Sequence, residues 1–78
     1  MDQPRTTEHQ RLLHLMQQVA NDQKIENIRG LADRWGISAE AIYKWCRNER
    51  VPVQWAKHIE RETKGRVPRQ DVSPWAYQ

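Results

Sequence analysis

The side chains best equipped for chemistry in this 78-residue chain gather between positions 38 and 48. Ser38, Glu40, Tyr43, Lys44, Arg47 and Asn48 bring hydroxyl, carboxylate, ammonium, guanidinium and amide groups into one short stretch. That is a set of hydrogen-bond donors and acceptors rather than a nucleophile with its base. Glu40 and Lys44 stand four residues apart, as do Tyr43 and Arg47, so on a helix all four share one side. A lysine there can donate to O6 or N7 of guanine, and a glutamate can accept from N4 of cytosine. Tyr43 can touch a thymine methyl or hydrogen-bond a phosphate. Ser38 and Arg47 suit phosphate oxygens, contacts that position a protein on a duplex without reading its sequence. The plainer possibility for Glu40 and Lys44 is a surface ion pair contributing a few tenths of a kcal/mol.

Catalysis and metal binding have less to build on. The histidines are His9, His14 and His58, and the spacing of five between the first two puts them on different helix faces. A helical zinc site uses histidines four apart. Cys46 is the single cysteine, so neither an internal disulfide nor a cysteine pair for a metal is possible. It follows Trp45 with no activating base nearby, which fits a semi-buried small side chain. There is no glycine-rich phosphate loop, and the aromatic residues fall at core spacing rather than forming a platform for single strands. The expectation is a non-enzymatic protein with no cofactor, metal or small-molecule substrate.

Positioning the 38–48 stretch requires helices. Thr6 or Thr7 can cap a first helix, with Glu8 at the positive end of its dipole. Leu12, Leu13, Met16, Val19 and Ala20 recur at helical spacing. Asn21 and Asp22 offer the cap of a second helix, carrying Ile25, Ile28, Ala32 and Trp35 on one face with Leu31 beside them. Gly36 stops it. Ser38 caps a third helix whose inward side is Ala41, Ile42 and Trp45, which turns Ala39, Glu40, Tyr43, Lys44 and Arg47 outward. Asn48 tolerates the left-handed conformation that closes many helices. Pro52 suits the first position of a fourth helix with Val53, Trp55, Ala56 and Ile59, ending at Gly65. Gly30, inside the second helix, costs about 1 kcal/mol relative to alanine and implies a close approach to a neighbouring helix or to a DNA backbone.

The stretch from Ile28 to Trp45 meets the demands of two helices crossing at a tight turn. Ala32 supplies the small inner residue, Gly36 accepts positive φ four positions later, and Ile42 and Trp45 supply bulky inward groups three apart. Leu31, Trp35 and Ile37 complete the small core. The same arrangement would serve as an αα-corner in any helical domain, but here it coincides with a coherent polar outer face. The fold class expected is all-α, a four- to five-helix domain with a helix-turn-helix at about 27–48. Residues 1–6 read as a leader, 7–66 as the domain and 67–78 as a tail. Val67, Val72, Trp75 and Tyr77 in that tail fold back, dock on a second subunit or leave it disordered. The tryptophans at 35, 45, 55 and 75 have unlike flanks, so no internal repeat is present.

Bulk properties agree. A chain this short buries only about 60% of its unfolded surface, so stability is marginal and oligomerisation would help. The net charge of +3 suits an anionic partner. Residues 1–28 balance to −1 and the excess lies in 29–50 and 51–78, at +2 each. No apolar run approaches a membrane span and no signal segment is evident, so a cytoplasmic protein is expected.

The chain resembles the Cro-like and YdaS-like repressors of phages and prophages. The shared pattern runs from Leu31-Ala32 through Gly36-Ile37-Ser38 and Ala41-Ile42-Tyr43-Lys44-Trp45. It continues into Val51-Pro52, Trp55-Ala56, Ile59-Glu60, Thr63, Gly65, Val67, Arg69, Asp71-Val72 and Pro74, about 45 residues in all. The resemblance implies a dimeric repressor that binds double-stranded operator DNA, contacting it through Ser38, Ala39, Glu40, Tyr43, Lys44, Arg47 and Asn48. Tyr43 departs from the small residue common at its position, and residues 1–24 exceed the most compact relatives. Two neighbouring readings keep the helix-turn-helix or its surface: a recombination directionality factor of the Cox or Apl kind, and a protein-binding antirepressor or antitoxin.

Overall fold

The computed structural model describes residues 7–77; the expected leader and Thr6 as a helix cap lie outside them. Five α-helices follow in order: α1 Thr7–Asp22, α2 Ile28–Trp35, α3 Ala39–Asn48, α4 Val53–Glu62 and α5 Arg69–Val72. A 3-10 turn, Pro74–Ala76, closes the chain, and no strand occurs among the described residues. The 3.6-residue stripe of α1 places Leu12, Met16, Val19 and Ala20 wholly out of solvent. That face packs on both α2 and α3, so α1 belongs to the same core rather than standing apart. Leu31 and Ala32 of α2, Ile42 and Cys46 of α3, and Ala56 and Ile59 of α4 complete it. Cys46 is thus fully buried, not half-buried.

One device ends the first four helices. At Lys24, Gly36, Glu49 and Lys64 the chain turns left-handed, with φ between 54° and 72°. In each case the next residue's N–H reaches back across the turn: Ile25 to Ala20, Ile37 to Ala32, Arg50 to Trp45 and Gly65 to Glu60, at 2.8–3.0 Å. This is the paired-bond closure that satisfies the last carbonyls of a helix. Two expectations are corrected by it. Asn48 is still helical, and Glu49 carries the left-handed conformation. Asn21 and Asp22 end α1 instead of opening α2, whose cap is Asn27, its side chain accepting from the Gly30 N–H at 2.9 Å. Ile25 therefore lies in the connection, and its Cγ2 would be 2.8 Å from a Cβ at position 30. Gly30 is the space that lets Ile25 fold in, so the close approach comes from the connection before α2 and not from a neighbouring helix.

α4 ends at Glu62, ahead of Gly65, and Pro52 is its cap rather than its first residue. Thr63, fully buried, donates to the Ile59 carbonyl at 2.9 Å and accepts from the Val67 N–H at 3.0 Å. It directs the chain back towards the core, where Val67 and Val72 are buried. Ser73 Oγ and Trp75 Nε1 both donate to the Val51 carbonyl, at 2.6 and 3.2 Å. The tail thereby folds onto the α3–α4 connection. Ion pairs tie the outside, Asp22 to Arg66 at 2.6 Å and Glu60 to Arg69 at 2.8 Å.

Candidate nucleic-acid interface

Everything about the α3 surface depends on three residues between it and α2. Gly36, at φ 72°, donates its N–H to Asp33, and Ile37 donates to Ala32 at 3.0 Å, which closes α2. Ser38 then opens α3, its side chain accepting from the Ala41 N–H at 3.1 Å. Ala32, only 1% exposed, lets α2 approach α3 closely, and Ile42 fills the space beneath.

With Ile42 and Cys46 pointing in, the opposite side of α3 is solvent-exposed: Glu40, Tyr43, Lys44, Arg47 and Asn48. Ser38 is exposed at its start. Ala39 departs from the expected outward set, being half-buried and packed against the core. Ala41, expected inside, has intermediate burial, and Cys46 holds the inward position instead. The helical turn explains the exchange, because residues 39, 42 and 46 are spaced i, i+3, i+7.

The charges pair differently from expectation. Glu40 meets Arg47 at 3.1 Å, two turns along, rather than Lys44. Among the described residues no carboxylate lies within ion-pair distance of Lys44. It stands at the middle of the exposed side with its ammonium in water, ready to donate. Arg47 is half-exposed and Glu40 more so, which keeps their pair weak and easily exchanged for another partner.

Two depressions flank Tyr43. On one side Arg29 and Asp33 of α2 face Ser38, Glu40 and Tyr43 across a cleft of about 470 Å3. On the other, His9 and Leu13 of α1 face Glu40, Tyr43 and Arg47. Neither Arg29 nor His9 was among the residues expected at this surface. The inward spacing of Ile28, Ala32 and Trp35 turns Arg29 outward, and that is the signal that could have found it.

Cys46 lies on the inward side of α3, away from both clefts. Burial pushes the Cys46 thiol up to about 11, which leaves it protonated and inert near neutrality. No three histidine, cysteine, aspartate or glutamate side chains converge on a point among the described residues. No helix among them is long and apolar enough to cross a membrane. No family model, curated protein or solved structure matches the chain.

Proposed function

We propose that the protein binds double-stranded DNA in a sequence-specific way, laying α3 in the major groove as a Cro-like transcriptional repressor of phage or prophage type. The observation that carries the reading is Lys44, unpaired at the centre of an exposed polar helix face that the hydrogen-bonded Gly36–Ser38 turn holds away from the core. A helix about as wide as the groove, with donors along its exposed side, can read base edges. Lys44 is assigned to guanine. Glu40 trades Arg47 for a cytosine amino group, which frees Arg47 for a phosphate. Arg29 and Ser38 supply further phosphate contacts from the α2 side. Tyr43, between the two clefts, meets a thymine methyl or the backbone. Two copies on a palindromic site would place their α3 helices about one DNA turn, roughly 34 Å, apart.

The test is Lys44→Ala, measured by fluorescence anisotropy on the preferred duplex and on random duplex in parallel. Loss of a base contact weakens the preferred site by about 1–3 kcal/mol and leaves random DNA nearly unchanged. Equal losses on both would move Lys44 to a phosphate, and no measurable DNA binding by the unaltered protein would refute the reading.

A further inference from the structure

Three of the four tryptophans meet on the side of the molecule formed by α2, α3 and α4. Trp55 contacts Trp35 at 5.1 Å and Trp45 at 5.6 Å between ring centroids, both tilted. His58 stands edge-on to Trp35 and Trp55. The rings are half-buried, and Trp35 and Trp55 border an open groove of about 360 Å3, lined also by Arg34, Gln54, His58 and Glu62. Glu62 at its floor is already occupied. It accepts from Trp35 Nε1 at 3.0 Å and lies 3.3 Å from His58 Nε2 and 3.7 Å from Arg34 Nε. The rim is basic. Arg34 is half-exposed and its pair with Glu62 is long. Lys57 and Arg61 are exposed on α4, three and seven residues beyond Gln54, on the stripe that adjoins the groove. Neither has a carboxylate within ion-pair distance among the described residues.

We infer that this groove is a docking site for a protein partner, specifically an acidic amphipathic segment. One bulky apolar side chain of the segment would pack against Trp35 and Trp55 while its carboxylates meet Arg34, Lys57 and Arg61. The chemistry selects this occupant over two others. A nucleic-acid base needs a free ring face on which to stack, and Trp55 has its ring engaged by two tryptophans with His58 against its side. A second copy of the chain carries a net charge of +3 and would bring like charge to a basic rim. An acidic segment satisfies both the apolar wall and the cations, the pattern of an aromatic anchor within a charged rim. The inference stands apart from the DNA reading, because its residues lie outside the exposed face of α3.

The experiment uses the full chain, labelled with 15N, and two synthetic amphipathic helical peptides. One carries leucine and phenylalanine on one face and glutamate on the other; its counterpart has lysine for glutamate. The glutamate peptide is expected to shift the indole N–H signals of Trp35 and Trp55 while that of Trp75, bonded to the Val51 carbonyl, stays in place. Its binding should weaken as salt is raised. A Lys57→Glu, Arg61→Glu variant, changed only at exposed positions, should bind it at least about tenfold more weakly and keep the spectrum of a folded protein. No indole shift, equal binding of the lysine peptide, or unchanged affinity in the variant would overturn the proposal. So would indole shifts that appear on concentrating the protein alone, which would mark self-association, or on adding single-stranded DNA.

Discussion

Replacing Gly36 with alanine isolates the cost of the turn that holds α3 in place. Gly36 sits at φ 72°, and a Cβ built there meets nothing within 4 Å, so no steric clash contributes. The penalty is torsional alone, about 1–2 kcal/mol for an L-residue held left-handed. Alanine also restricts the unfolded chain, which returns about 0.4–1 kcal/mol. The net destabilisation is therefore about 1 kcal/mol, or a fall in Tm of roughly 4–8 °C for a domain of this length. Gly65, at φ 84° with equally open surroundings, should respond alike. Glu49 offers the converse, because it holds φ 58° with a side chain, and Glu49→Gly should lose less stability than an ordinary glycine substitution or even gain some. Thermal unfolding followed by circular dichroism at 222 nm measures all three. A Gly36→Ala protein as stable as the original would refute the argument, since it would mean that this residue is not left-handed in solution. A loss above about 4 kcal/mol would refute it too, by showing a contact that the geometry lacks.

Other consequences follow from the same bonds. Thr63→Val keeps the volume but leaves the buried Val67 N–H without its acceptor, a cost of about 1–3 kcal/mol, whereas Thr63→Ser retains both bonds and should cost less; denaturant midpoints that rank the two the other way would contradict this. The Asp22 carboxyl is held below its ordinary 3.8 first by its hydrogen bond from Arg66, and that of Glu60 below 4.5 first by the Arg69 backbone N–H and then by its guanidinium. Lowered carboxyl values stabilise the fold above the unfolded-state values and stop doing so as pH falls through the folded-state values. Tm should accordingly decline below about pH 4.5, and less steeply in an Arg66→Ala, Arg69→Ala variant, whose acid limb would be unchanged if these pairs did not matter.

Some of this architecture could be read directly from residue types, and the reason is local. Ser38, Gly36 and the Ile42 spacing each act within a few residues of themselves, so the start of α3 and its boundary with α2 follow from short-range chemistry. The misplaced features depend on distant or ambiguous signals. Asn21, Asp22 and Asn27 are all competent caps, and Ile25 folding into the space at Gly30 decides among them. Lysine and glutamate carry no preference for a left-handed turn, so Lys24 and Glu49 could not be recognised as helix closers; the bonds from Ile25 and Arg50 impose it. In the candidate interface, the outward positions of Glu40, Tyr43, Lys44 and Arg47 followed from periodicity. The choice of Arg47 over Lys44 as the partner of Glu40 did not, because rotamers decide it. The tryptophan groove was illegible for a different reason: residues 35, 45 and 55 sit on three helices and only packing brings their rings together.

The most direct test of the central claim is selection of bound sequences from a random duplex library, followed by anisotropy of the winning duplex at several salt concentrations. A palindromic winner is expected, with an affinity that falls steeply with salt and far exceeds that for random duplex. A library that emerges unenriched, with weak and unselective binding at low salt, would contradict it.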